Sequence, residues 1–245
     1  MYRFDRLATL MDRFNLTVEY APLSEANLVV TSTDEGVPLQ VQMLVRAPGC
    51  SKPPARILFS AKIDWGGQTN PLISALPDII EYNLLGNRDS IELVKLMASE
   101  FSAKRCGVDS VINRLGEVLI IRMFRSLIEA GSTEPGLLAG LSDPRLSRAI
   151  VAIHDQPGHH WSNEDLAVIA GLSLSRFAEI FMTLVGEPPA AYLRRWRLTL
   201  ARQDVAKGGR IDAVARRYGY GSPEGFARAF KKQFGENPVI FRSRQ

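Results

Sequence analysis

A chain of 245 residues, 46% hydrophobic and 23% charged, carries enough apolar material for one large packed domain or two small ones. That composition excludes a disordered tail, a collagen-like fibre and a disulfide scaffold, since two cysteines cannot staple a fold. The net charge of +4 is unevenly placed: residues 1–142 hold 14 Lys+Arg against 16 Asp+Glu, a net of −2, while residues 143–245 hold 16 against 10, a net of +6, which points to a polyanion-binding segment joined to something else.

Residues 1–16 interleave Arg3, Asp5, Arg6, Asp12 and Arg13 with apolar side chains, so no continuous apolar stretch reads as a secretion signal. No apolar run approaches the roughly 18 residues of a membrane span. The longest helix-like stretch, residues 118–128, is broken by Arg122 and Arg125. The expectation is a cytoplasmic protein without membrane contact.

Residues 27–33 and 56–63 are β-rich runs between turn-forming residues, and residues 39–46 (LQVQMLVR) alternate apolar and polar as a half-buried strand does. After Trp65-Gly66-Gly67 the texture becomes helical, at 70–76, at 91–101 and most clearly at 111–128. There Ile112, Leu115, Val118, Leu119, Phe124 and Ile128 fit one helical stripe, a surface for packing on the sheet or for a second copy of the chain.

The basic half contains a repeat. Ser173, Phe177, Ala178, Phe181, Gly186 and Pro189 recur 49 positions later as Ser222, Phe226, Ala227, Phe230, Gly235 and Pro238. Upstream of the serines the offset is 48, pairing Ala167 with Ala215 and Gly171 with Gly219, so the second copy has one residue inserted in its turn. Each copy reads as helix, tight turn, helix. Asn163 or Ser162 caps the first helix, Gly171 ends it, Ser173 caps the next, and Gly186 stops that one. Phe177, Ile180, Phe181 and Leu184 form its apolar stripe. In the second copy Gly219 and Gly221 flank the turn, Ser222 caps, and Pro223 occupies the first helical turn, where its missing N–H costs nothing. Phe226, Ala229, Phe230 and Phe234 form the second stripe. A helix over residues 190–206 joins the copies, with Leu193, Trp196, Leu200 and Val205 inward and Arg194, Arg195, Arg197 and Arg202 between them.

Two helix-turn-helix units held by one linker helix can enter successive major-groove segments about 34 Å apart. The segments WSNEDLAVIAGLSLSRFAEIFMTLVGEPPAAYLRRWRL and VARRYGYGSPEGFARAFKKQFGENPVIFR resemble the DNA-binding domain of the AraC/XylS family of bacterial transcription regulators. The resemblance implies an α+β chain. A β-rich, partial cupin-like domain with helices would occupy residues 1–142, serving effector binding or dimerisation. An all-α domain would occupy 143–245, with its units at about 163–186 and 211–235. WGGQTNPLISALPDII and LLAGLSDPRLSRAIVAIHDQPGHHWS support the cupin-type subfamily. Only three or four strands precede Asp64, against about eight in a full barrel, so the barrel is expected to be incomplete.

By position, the resemblance places Leu174, Ser175, Ala178 and Glu179 in one groove and Pro223, Glu224, Ala227 and Arg228 in the next. Of these, Arg228 has the fork that reads guanine, and Glu179 or Glu224 can accept from cytosine. Phosphate contacts fall to Arg176, Arg195, Arg217, Ser222, Lys231 and Lys232. The implied partners are double-stranded DNA, RNA polymerase, a small-molecule effector and a second copy of the chain. No metal or other cofactor is expected, because His154, His159 and His160 all lie outside the β-rich half. Cys50, beside Gly49, and Cys106, after Lys104-Arg105, are candidate redox thiols. The competing readings are a cupin-type metal enzyme and a constitutive DNA-binding remnant with a defunct sensor.

Overall fold

The computed structural model describes residues 7–13, 16–45, 56–65, 73, 76–103, 105–131 and 135–243. The chain divides into two compact units: Phe14–Gly131, and Ser132–Gln245 together with Met1–Arg13.

In the first unit, five antiparallel strands lie in the order β1-β4-β2-β3-β5: β1 (Thr17–Tyr20), β2 (Leu28–Ser32), β3 (Pro38–Leu44), β4 (Arg56–Asp64) and β5 (Ile79–Asn83). The expected strands at 27–33, 39–46 and 56–63 are β2, β3 and β4, and no further strand joins the sheet among the described residues. Central β2 is buried on both faces, while β5 alternates, with Ile80 and Tyr82 inside. Asn27 extends the ladder with its side chain: its Nδ2 donates to Ile63 O at 2.9 Å, and its Oδ1 accepts from Ile63 N at 2.7 Å.

Among the described residues two helices cover this unit, α2 (Arg88–Ala103) and α3 (Val108–Ala130), each longer at both ends than its apolar stripe. The face of α3 that packs carries Ile112, Gly116, Leu119, Ile120, Met123, Phe124 and Ile128. Gly116 sets the approach, since a Cβ there would lie 2.6 Å from Val18 Cγ2 of β1. Asn113 Oδ1 then accepts from Val18 N at 2.7 Å, satisfying a donor on that end strand. Val118, assigned to the stripe, is instead 45% exposed, because the inner face runs through Gly116 and Leu119 on the other side of the helix. At the start of α2, Arg122 Nε donates to Ser90 Oγ at 2.8 Å, and Ser90 shares a 2.8 Å hydrogen bond with Tyr82 Oη. The expected helix at 70–76 lies largely outside the described residues, as does Cys50. Cys106 is exposed in the turn between α2 and α3.

The second unit is helical: α1 (Ala8–Arg13), α4 (Leu137–Ser142), α5 (Leu146–Asp155), α6 (Asn163–Ala170), α7 (Leu174–Val185), α8 (Pro189–Ala206), α9 (Ile211–Arg217), α10 (Pro223–Phe234) and α11 (Pro238–Ser243). It begins before the Ser142 division drawn from charge, because α4 is built into it. Leu137, Leu138, Ala139 and Leu141 are buried, and Gly136 N donates to Leu184 O at 2.8 Å. Thr9 Oγ1 of α1 donates to Asp155 at the end of α5. The core is aromatic. His154 stacks on Trp196 with ring centroids 3.9 Å apart and shares a 2.6 Å hydrogen bond with Tyr192 Oη. Tyr192 in turn meets Phe181 edge-on at 5.6 Å. No described helix is by itself long and apolar enough to cross a membrane.

Candidate nucleic-acid interface

The two repeat copies fold to the same turn. Helices α6 and α7 are bent by 85° at the break between them. Gly171 takes φ +68° and Gly219 φ +73°, the left-handed conformation that glycine adopts without strain. The closing bonds repeat at the 48-residue offset: Leu172 N donates to Ala167 O and Tyr220 N to Ala215 O, both at 2.9 Å. Ala167 and Ala215 are buried, because a larger side chain would hold the two helices of each unit apart. The extra residue of the second copy falls after this closure.

Each second helix is capped by its serine. Ser173 Oγ accepts from Arg176 N at 3.4 Å, and Ser222 Oγ from Gly225 N at 3.0 Å. Upstream, Ser162 and Asp165 form a reciprocal capping box, and the Ser162 hydroxyl and amide hold the Asp165 carboxyl below its usual pKa. Phe177, Ile180, Phe181 and Val185 fasten α7 to the core, and Phe226 and Phe230 fasten α10. Leu184, expected in the first stripe, is half-buried, and so are Ala229 and Phe234 in the second.

The opposite faces are open. On α7, Leu174, Ser175, Arg176 and Glu179 are exposed and Ala178 is half-buried. On α10, Pro223, Glu224, Arg228, Lys231 and Lys232 are exposed and Ala227 is half-buried. Each expected base-facing set therefore shares one helix face. Met182, 51% exposed, extends the first face and went unassigned, although its spacing from Ser175 and Ala178 marks the same side of a helix. Val168 of α6, 78% exposed, is a second apolar group that periodicity did not single out.

The expected phosphate ligands divide into engaged and open groups. Arg176 Nη1 pairs with Glu179 Oε2 at 2.8 Å, so two assigned residues partner each other. Arg195 is half-buried, with Nε and Nη2 on Glu187 Oε1 at 2.9 and 2.5 Å and its guanidinium over the Tyr192 ring. Arg217 Nη1 pairs with Asp204 Oδ2 at 2.6 Å, a bond that raises its pKa, and Tyr218 Oη donates to the same oxygen. Ser222 uses its oxygen as a helix cap. Arg228, Lys231 and Lys232 are exposed and form no ion pair with any described residue. Two of the linker arginines hold the fold: Arg202 lies over the Phe234 and Phe241 rings at 5.0 and 4.9 Å, and Arg197 donates to the Pro157 and His159 carbonyls.

Burial, with the Arg195 charge added, pushes the His154 pKa down to about 3, so its ring is neutral in the core. His159 and His160 are exposed. Among the described residues no group of three or more His, Cys, Asp or Glu is placed to hold a metal ion.

The chain matches the helix-turn-helix domain family over residues 166–244 and the cupin family over residues 25–129. It is 33% identical to the HTH-type transcriptional regulator AlkR of Acinetobacter baylyi, over 71% of this chain and 58% of that protein. It is 37% identical to a putative AraC-like transcription regulator of Streptomyces antibioticus, over 54% of this chain and 44% of that one. With the RCS-specific transcriptional activator RclR of Escherichia coli the identity is 31%, over 67% of this chain and 57% of that one. The chain thus spans about half the length of these relatives. Among solved structures, the DNA-binding domain of AdpA in complex with a target DNA is 28% identical, covers 42% of this chain and 93% of that one, and has a TM-score of 0.38.

Proposed function

We propose that this chain is an AraC-like transcription regulator, with its cupin-matching segment ahead of its helix-turn-helix segment, and that it binds double-stranded DNA sequence-specifically through α7 and α10. The two helices enter successive major-groove segments. Leu174, Ser175, Ala178 and Glu179 face bases in the first, and Pro223, Glu224, Ala227 and Arg228 in the second. Lys231 and Lys232 supply phosphate contacts, joined by Arg176, Arg217 and Arg195 where their carboxylate partners yield to DNA. The carrying observation is the twofold occurrence of one capped turn, with an open polar face on each second helix and unpaired cations on α10.

The sheet unit, Phe14–Gly131, is the seat of control, by a small-molecule effector or by pairing with a second copy. Either signal acts only through differential affinity for the DNA-competent arrangement. RNA polymerase is the partner through which the bound regulator alters transcription, and the cytoplasm is where it works.

Selection of duplexes from a random pool by the full chain, with the winners' affinity followed across salt, tests the reading. Two short enriched elements about one helical turn apart are the expected result. Binding with a steep salt slope and no enriched sequence would overturn it.

A further inference from the structure

Besides the linker helix α8, a second connection joins the two helix-turn-helix units. The loop that leads into the first unit, residues 157–160, lies against the turn of the second. Gly158 makes the contact: a Cβ on it would collide with the Arg217 carbonyl oxygen. The turn is equally tight from its own side, since a Cβ on Gly219 would sit 2.7 Å from Gly158 O and 3.2 Å from Arg197 Nη2. Two backbones meet there with no side chain between them.

Arg197, midway along α8, fastens this crossing. Its Nε donates to Pro157 O at 2.6 Å and its Nη2 to His159 O at 2.7 Å, the carbonyls on either side of Gly158. The guanidinium is half-buried, and two of its donors are committed to backbone oxygens, so it is poorly placed as a DNA phosphate ligand. Its fork geometry suits two diverging acceptors in a way a lysine ammonium does not. A helix linker alone would leave the units free to bend about it. A guanidinium that ties linker, entry loop and opposing turn together removes that freedom.

We propose that Arg197, with Gly158 and Gly219, fixes the pose of one helix-turn-helix unit against the other and so sets the half-site spacing that the protein accepts. This rests on the reading that both units contact DNA. One added base pair moves the second half-site by about 3.4 Å along the axis and about 34° around it. A clasped pair of units cannot follow that displacement, and an unclasped pair can.

The test uses the full chain and the duplex selected above, remade with the spacer one base pair longer and shorter, plus a duplex carrying only the second half-site. Wild type is expected to lose roughly tenfold in affinity on each altered spacer. Folded Arg197→Ala should lose less than about threefold there, while binding the single half-site within about twofold of wild type. Thermal melting accompanies the titrations. If Arg197→Ala melts below the assay temperature, the same ratios are read on Arg197→Lys, which keeps the charge and loses the fork. An unchanged spacing profile in the folded variant would overturn the proposal. A wild-type chain indifferent to spacing would overturn the two-unit reading beneath it.

Discussion

Acid should loosen the helical unit through one residue. His154 is 1% exposed, stacked on Trp196 at 3.9 Å and hydrogen-bonded to Tyr192 Oη at 2.6 Å. Desolvation and the nearby Arg195 charge push its pKa from 6.5 to about 3. The unfolded chain therefore accepts a proton that the folded chain refuses. The contribution of His154 to stability is present above pH 6.5 and is lost as the pH falls toward 3. Between about pH 7.5 and about pH 5 the linkage amounts to about 2 kcal/mol, from about 1.4 kcal/mol per pH unit over the 1.5 units below 6.5. Urea unfolding at both pH values, on wild type and on His154→Gln, isolates this contribution, because the double difference cancels every group the two proteins share. Glutamine keeps a partner for the Tyr192 hydroxyl and has no proton to take up. Wild type should lose about 2 kcal/mol more than the variant across that window. Equal losses would refute the reasoning and mean that the ring is hydrated or protonated in the fold.

Three further outcomes follow from the geometry. Arg228→Ala should cost roughly 1–3 kcal/mol in binding and relax selection at one base, whereas Lys231→Ala should weaken all sequences alike and lower the salt slope by about one; parallel titrations of selected and scrambled duplexes separate the two, and a uniform loss for Arg228→Ala would make that residue a phosphate contact. Glu179→Gln releases Arg176 from its 2.8 Å pair, so the salt slope should steepen by about one, and an unchanged slope would show that Arg176 does not reach the backbone of DNA. Gly116→Ala drives a methyl to within 2.6 Å of Val18 Cγ2 and should lower the stability of the sheet unit by about 1–3 kcal/mol; an unaltered melting curve would mean that α3 shifts freely on β1.

The helix-turn-helix units were legible because their determinants are local. A serine cap, a left-handed glycine and phenylalanines at helical spacing fix each copy within two dozen residues, and the repeat states the pattern twice. The sheet was legible only in its middle. β2, β3 and β4 carry enough apolar residues to show a period, whereas β1 buries one residue of four and β5 two of five. The roles of the basic side chains were least visible, because periodicity assigns a residue to a face and says nothing of what comes to meet it. Arg195 finds Glu187 in the segment before its own helix, Arg217 finds Asp204 across a turn, and Arg202 finds rings of α10 and α11. Arg176 with Glu179, three apart on one helix, and Arg216 with Asp212, four apart, are pairs that spacing alone could have found.

The two copies differ where they face outward and agree where they face inward. Phe177 and Phe226, Phe181 and Phe230, and Ala167 and Ala215 are buried in corresponding places. On the open faces, at the same 49-residue offset, Glu179 becomes Arg228, Met182 becomes Lys231 and Thr183 becomes Lys232. The first face is thus electrically neutral, its single arginine paired with its single glutamate, and carries the apolar Leu174 and Met182. The second has three cations against Glu224. Counterion release scales with unpaired cations, so on the proposed reading the salt-dependent part of affinity belongs to α10. Leu174 and Met182 have no hydrogen bond to offer a base edge and can favour thymine only through its methyl group. On that reading one unit holds the duplex while the other tests its shape and methyl pattern. That division works only if the two are held at a fixed separation, which is the constraint the Arg197 clasp would supply.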